Sequence, residues 1–213
     1  MTSRRHISLG LAALALLLFT PLARADTMTF DSIGLADTVK VHAPGHLADG
    51  LTTEAGQYLI TYKGNQYAAW CVDIDAYAST TSVTEQSYTV LPNAYAVAYL
   101  YETYAGGLTN DTDAAALGVS IWEVITESVG GPFNIHSGSF WITNNGDVAS
   151  RAASMLATIP GSYTPQGALT VLHSECKQDM LIGNGLHQAP EPGTLVLLAA
   201  GGALAAARRR RRA

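Results

Sequence analysis

The sequence predicts an α+β domain: an antiparallel β-sheet or sandwich with a central insertion of two to three helices. Two observations support this class. Apolar and polar residues alternate in two separate regions of the chain. Between those two regions, the apolar residues recur at helical spacing. Strands on either side of a run of helices are typical of α+β folds. We expect a signal peptide before this domain and a short transmembrane helix after it.

The predicted strands form two groups that flank the helices. The first group covers residues 26–53 (one or two strands), 57–62, 67–74 and 87–91, and the second covers residues 168–173 and 179–182. Strands 57–62 and 67–74 are separated by a short polar segment with turn-forming residues, so we predict a hairpin here. The turn is expected on Gly64 and Asn65, because glycine and asparagine favour tight hairpin turns.

Three helices are predicted between the two groups of strands, at residues 94–104, 114–126 and about 147–158. Residues of the first recur at helical spacing, and the apolar residues of the second lie on one face. The third follows Asn144, Asn145 and Gly146 and ends before Pro160 and Gly161. Asn110, Asp111 and Asp113 come just before the second helix. These residues supply the capping oxygen and the negative charge that helix starts favour.

Residues 1–25 have the parts of a secretory signal peptide. A basic start is followed by an apolar run, and the run is followed by Ala23, Arg24 and Ala25, the small-x-small pattern that signal peptidase cleaves. We therefore predict signal peptidase as a partner and cleavage before Asp26. The alternative is an uncleaved membrane anchor, for which the apolar run is short.

The C-terminal segment, residues 190–213, has three parts in a fixed order. Pro190, Glu191 and Pro192 come first, and residues 193–207 form an uncharged apolar stretch. The chain then continues with the basic residues Arg208, Arg209, Arg210, Arg211 and Arg212. A helix over the apolar stretch is about 22 Å long, against a hydrocarbon core of about 30 Å. It is therefore suited to a temporary membrane span, with the arginines as a stop-transfer signal.

This tail resembles the PEP-CTERM sorting signal. The resemblance implies that a membrane protease, exosortase, recognises Pro190, Glu191 and Pro192 and processes the chain nearby. It also implies transient contact with the inner membrane, and it leaves residues 183–189 as a stalk between domain and signal. A plain single-pass anchor is the alternative interpretation of the same segment.

Removing the two ends leaves one acidic domain, predicted at residues 26–182. Residues 26–189 contain sixteen Asp and Glu against four Lys and Arg, a formal net charge of −12. The segment is long enough for a single hydrophobic core. Its negative charge repels phosphate backbones, so we exclude nucleic acid as a partner.

A second resemblance covers residues 57–126. Trp70 and Cys71 on a predicted strand, with Trp122 on a predicted helix about fifty residues later, are similar to motifs of the thioester domains of surface adhesins. In that family the cysteine is joined to a glutamine four residues before the tryptophan. Here that position is Gly118, which has no carboxamide. The resemblance implies a related fold, with Cys71 and Gly118 as degenerate thioester positions and no thioester bond.

Cys71 and Cys176 are the two cysteines of the chain. An even number in an oxidising compartment favours a disulfide between them. Cys71 as a small buried residue on a strand is the alternative, and the sequence leaves both open.

No pattern predicts catalysis, a metal site or a cofactor. Asp73, Asp75, Asp111 and Asp113 lack the spacing of a calcium loop, and the histidines lack zinc-ligand spacing. Five tyrosines at residues 88–104 form a candidate glycan surface, so an extracellular polysaccharide is a candidate partner.

We therefore predict a non-catalytic structural or adhesive protein, exported across the inner membrane. It is membrane-anchored before tail processing, and belongs to the cell surface or extracellular matrix afterwards. The alternative is a glycan- or protein-binding adhesin module descended from a thioester domain.

Overall fold

Seven strands organise the computed structural model, which describes residues 25–183. They are β1 (Asp26–His42), β2 (Thr52–Tyr62), β3 (Asn65–Cys71), β4 (Thr81–Ser87), β5 (Trp141–Thr143), β6 (Leu169–His173) and β7 (Met180–Gly183). Every strand pairing in this part of the chain is antiparallel. The predicted antiparallel sheet is therefore confirmed.

The pairings close into a ring, which the sequence did not indicate. The strand order is β2-β3-β7-β6-β4-β1, and β1 pairs again with β2. The short strand β5 adds to the end of β1, where Val41 lies opposite Ile142. Closing a sheet removes exposed edges that would otherwise pair with other chains.

The length of β1 makes this closure possible. Its first residues pair with β4, its middle pairs with β2, and its last residues pair with β5. The register with β2 shifts between Phe30 and Ser32 and again between Ile33 and Ala36. Such bulges bend and twist a strand, so one strand can serve three neighbours.

The predicted hairpin is present as β2 and β3, with its turn one residue earlier than expected. Tyr62 lies opposite Asn65, so Lys63 and Gly64 are the two loop residues. Both have positive φ, 49° and 77°. Two positive φ angles define the type I′ turn, whose twist matches the flanking strands.

Two strand predictions were wrong in extent. Residues 87–91 are not a strand: β4 ends at Ser87, whose side chain accepts a hydrogen bond from the Thr89 amide and starts a 3-10 turn over Tyr88–Val90. β3 stops at Cys71 rather than at residue 74, because the Asp73 carboxylate accepts from the Asp75 amide at 2.8 Å and turns the chain.

The three predicted helices are confirmed as α1 (Ala94–Tyr104), α2 (Asp111–Thr126) and α3 (Gly146–Leu156). Helix α2 begins three residues before the predicted start. Its N-cap is Asn110, whose side-chain oxygen accepts from the Asp113 amide at 2.8 Å. Helix α3 ends at Leu156, short of residue 158, and Asn145 caps its start.

Helix α2 is the centre of the core. Its residues from Ala114 to Val124 are all buried, and it contacts α1, α3 and strands β1, β2 and β3. Leu117 and Ile121 are fully buried. Each contributes about 1.5–3 kcal/mol of transfer free energy relative to an exposed side chain.

The antiparallel pairings place both ends of the domain on one side. Strand β7 runs opposite to β1, so β7 stops at the end of the ring where β1 begins. We call this the terminal end. At the other end, which we call the far end, β1 and β3 stop and β2 and β7 begin.

The last residue of β7, Gly183, is buried, so the predicted stalk at 183–189 overlaps the strand by one residue. The predicted signal peptide lies outside the described residues apart from Ala25, and the tail at 190–213 lies outside them entirely. Within residues 25–183, no helix is both long enough and apolar enough to span a bilayer.

Candidate functional site

A cleft opens at the far end of the ring. It encloses about 490 Å³, including the part open to solvent. Binding sites in proteins are usually concave and lined mainly by apolar side chains. The lining comes from the end of β1 through β2, from the segment after β3, from α2 and from the residue two before β7. It consists of Val41, Leu47, Ala48, Leu51, Thr53, Tyr58, Ile74, Ala76, Tyr77, Ala78, Trp122 and Gln178.

The segment between β1 and β2 forms one lip of the cleft, and a carboxylate holds it in place. The two oxygens of Asp75 accept from the Leu47 amide at 2.7 Å and contact His46 Nδ1 at 2.9 Å. Partial burial opposes ionisation, but the Leu47 amide and His46 hold the pKa of Asp75 below its ordinary value. The lip is therefore fixed by an ionised aspartate.

Large apolar side chains at the lips face solvent. Tyr77 is 65% exposed, Leu47 49% and Leu51 38%. These three residues belong to a small group of exposed large apolar side chains in residues 25–183, and all three line the cleft. Contiguous exposed apolar patches are typical of interaction sites and ligand-binding grooves.

Gln178 is a buried polar residue of the lining. Its side chain is almost fully buried, and its Nε2 donates to the Asp73 carbonyl at 3.0 Å. Its Oε1 has no hydrogen-bond partner among residues 25–183. A buried carbonyl without a partner carries a free-energy cost of about 1–3 kcal/mol, so the side chain is held by its other contacts.

Cys71 lies at the end of β3 and is buried. Its thiol donates to the Asp73 carbonyl at 3.0 Å. Burial raises the pKa of this thiol to about 12. Because the thiolate is the reactive form, Cys71 is unreactive at neutral pH.

Gly118 has a packing role that the sequence did not show. A Cβ atom at this position would lie 2.9 Å from the backbone nitrogen of Gly56 on β2. Gly56 itself has φ +143° and no room for a side chain. The two glycines let α2 approach β2 closely, so backbone atoms lie where a glutamine side chain would begin.

The two cysteines are free in this structure, Cys71 buried and Cys176 exposed. The disulfide that the sequence left open is therefore not formed here. Cys71 takes the alternative role of a small buried residue on a strand.

The four aspartates weighed as calcium ligands have separate partners. Asp111 accepts from the Ala36 amide, and Asp113 pairs with Arg151 Nε at 2.6 Å. Asp73 and Asp75 hold the turn after β3 and the lip. Within the described part of the chain, no three His, Cys, Asp or Glu side chains are grouped as metal ligands.

The predicted tyrosine surface is divided among packing contacts. The Tyr101 ring meets Trp70 edge-on at 5.5 Å, and Tyr99 meets Tyr163 at 5.3 Å. Tyr104 bonds Thr158 through its hydroxyl. The extracellular polysaccharide stays a predicted partner.

The sequence did not single out the cleft residues apart from Trp122, which belongs to the motif on α2. Leu47 and Tyr77 are ordinary apolar residues in loops, and His46 and Asp75 are far apart in the chain. A sequence signal for the cleft was present in two apolar loop segments that contain aspartates, residues 47–51 and 73–78. Only the ring closure shows that these segments meet.

The fold therefore defines a single acidic β-ring domain, in which the start of β1 and the end of β7 lie on one side and an apolar cleft lies on the other. Residues 188–212 match a family model described as the PEP-CTERM protein-sorting motif. The chain thus carries this sorting motif, which implies processing by an exosortase, and with it export and membrane-associated sorting to the cell surface. Searches of curated proteins and of solved structures returned no match. The comparisons do not show the thioester-domain resemblance.

Proposed function

We propose that this exported protein is a non-catalytic surface module that presents a ligand-binding cleft away from the membrane. The observation that carries the proposal is the position of the cleft at the far end, opposite the start of β1 and the end of β7. Before processing, the predicted signal peptide and the sorting tail both direct the chain to the membrane. Because both leave from the terminal end, the cleft is directed outward.

The distance between the ring and the sorting motif supports this orientation. Residues 184–189 connect Gly183 to Pro190. The seven residue steps from Gly183 to Pro190 span at most about 25 Å. A membrane protease that acts at the motif therefore works close to the terminal end, and the far end stays clear of it.

The proposal of a non-catalytic role rests on the chemistry of the cleft. None of its lining residues within the described chain carries a charge. The nearby thiol of Cys71 is buried and protonated at neutral pH. A nucleophile needs an activating base or a lowered pKa, and Cys71 has a raised one.

Descent from a thioester domain stays a second candidate, favoured by the position of Trp122 in the cleft lining on the helix that carries the resembling motif. Because Gly118 supplies no carboxamide, this candidate predicts an intact mass without the loss of ammonia that a thioester bond would cause.

Mass spectrometry of the mature exported protein also tests the sorting proposal. We expect a mass that lacks residues 1–25 and the arginine cluster. Changing Glu191→Gln should cause unprocessed chain to accumulate in the membrane, whereas Glu175→Gln, at an exposed glutamate of the domain, should not. A mature surface form that retains Arg208 to Arg212 would contradict the proposal.

A further inference from the structure

We infer that the cleft binds a basic polypeptide segment that inserts one aromatic or branched aliphatic side chain. This inference rests on the binding function proposed above and names its ligand class. Three properties of the cleft support it: an uncharged apolar interior, apolar lips that extend into solvent, and an acidic surrounding surface.

The uncharged interior of the cleft favours an apolar side chain as the inserted group. Its walls are aliphatic and aromatic, with Thr53 and Gln178 as the non-aromatic polar residues. A charged group placed there would lose its hydration without a counter-charge, at a high free-energy cost. A sugar would bury several hydroxyls, for which the lining offers two buried polar atoms without a partner among residues 25–183, Gln178 Oε1 and Trp122 Nε1. An apolar side chain meets neither penalty.

The lips indicate a ligand larger than the cleft. Tyr77, Leu47 and Leu51 expose apolar surface outside the enclosed volume. A small molecule inside the cleft would leave these side chains in water. A polypeptide segment that crosses the mouth covers them with its backbone and neighbouring side chains, in the way that exposed apolar patches are covered at protein interfaces.

The charge around the mouth selects a basic segment. Asp49 and Asp75 lie on the loops that form the lips, and Asp75 is ionised against His46. Two basic residues, Lys40 and Lys177, adjoin the lining residues Val41 and Gln178 in sequence. The sixteen acidic residues of residues 26–189 outnumber the four basic ones. This surface attracts cations and repels anions before contact.

The test uses three short capped peptides and the exported protein labelled with ¹⁵N. The first peptide has a tryptophan between lysines, the second replaces the lysines with glutamates, and the third replaces the tryptophan with glycine. Free indole is the uncharged small probe. Binding is followed by amide shifts at the lips, first at low salt and then at high salt.

We expect the lysine–tryptophan peptide to bind about tenfold or more tightly than the glutamate peptide at low salt, with a smaller ratio at high salt. The glycine peptide should lose most of the affinity. Changing Tyr77→Ser should weaken binding about tenfold. Val90→Ser, at a similarly exposed apolar residue after β4, is the matched control and should leave binding unchanged.

Equal binding of the glutamate peptide, or binding that ignores the tryptophan, would overturn the inference. If indole shifts the lip amides while no peptide binds, the cleft function survives and the ligand class is wrong. If neither indole nor any peptide shifts them, the binding function itself fails. The protein's fold is checked in each variant by its amide spectrum.

Discussion

At the scale of single residues, Glu123 on α2 is the most unusual titratable group of the core. Its side chain is fully buried, and Oε1 accepts from the Asn134 amide at 2.6 Å. Oε2 has no partner among residues 25–183. Burial raises the pKa of Glu123 to about 7, and the nearby charge of Glu127 adds to the effect. The folded state therefore favours the protonated acid.

This pKa predicts how stability depends on pH. A carboxyl whose pKa is raised by folding binds more protons in the folded than in the unfolded state. Its contribution to the free energy of unfolding therefore falls as pH rises from its ordinary pKa to about 7. We expect Glu123→Gln to remove this dependence. The free energy of unfolding of the variant, relative to the unchanged protein, should be about 3 kcal/mol higher at pH 8 than at pH 4. Thermal unfolding across this range measures it.

The control for Glu123 is Glu175→Gln, which changes an exposed glutamate in the turn before β7. Its stability difference from the unchanged protein should stay nearly constant with pH. A Glu123→Gln difference that is also constant with pH would show that the buried carboxyl does not retain its proton.

Gly118 gives a second residue-scale prediction. Changing Gly118→Ala places a Cβ atom 2.9 Å from the Gly56 nitrogen, so α2 and β2 must separate. We expect a loss of about 1–3 kcal/mol in the free energy of unfolding, measured by denaturant titration. Gly107→Ala is the control, because nothing lies within 4 Å of the added atom. Equal losses would mean that the close contact is not needed.

At the scale of elements, the lip between β1 and β2 depends on Asp75. Changing Asp75→Ala removes the acceptor of the Leu47 amide and the partner of His46. We expect faster hydrogen exchange at the Leu47 amide, with a change in global stability of less than about 1 kcal/mol, since the pair is solvent-exposed. Asp37→Ala, whose carboxylate bonds the neighbouring Thr38 amide, should not affect exchange at Leu47.

The same lip should respond to acid. The pKa of Asp75 is lowered by folding. Its contribution to stability is therefore present above the ordinary aspartate pKa and is lost as pH falls through the pKa of the folded state. Protection of the Leu47 amide should therefore decrease in acid. Unchanged protection after Asp75→Ala, or at low pH, would show that other contacts hold the lip.

Elements with local signals were predictable from the sequence, and those that depend on distant partners were not. Helix α2 has its cap at Asn110 and its apolar face within one segment, so its sequence predicts it. Strand β5 is three residues long and exists because it pairs with the end of β1. The cleft has the same origin: Leu47, Tyr77 and Gln178 meet because the ring closes, and no local pattern reports that closure.

At the scale of the whole molecule, the two ends of the ring should differ in access while the chain is held at the membrane. Tyr77 lies at the far end, and Val90 follows the strand β4 that ends at the terminal end. Both side chains are exposed. Because membrane and protease lie near the terminal end in our proposal, a bulky reagent should reach the far end more readily.

We expect a cysteine from Tyr77→Cys to react faster with a large maleimide reagent than one from Val90→Cys, both placed in a Cys176→Ser background to remove the exposed native thiol. The measurement uses unprocessed chain in intact membranes. Detergent release should remove the difference. A faster reaction at Val90→Cys in the membrane would contradict the proposed orientation.

The position of β7 also determines how the domain responds to mechanical load. This strand pairs with β3 on one side and β6 on the other, and the Tyr101 ring is so close to its last residue, Gly183, that no side chain would fit there. A force applied beyond Gly183 acts along the strand and across hydrogen bonds that lie perpendicular to it. Those bonds share the load and must shear together, so a domain pulled from its C-terminal side resists extension better than one that opens bond by bond.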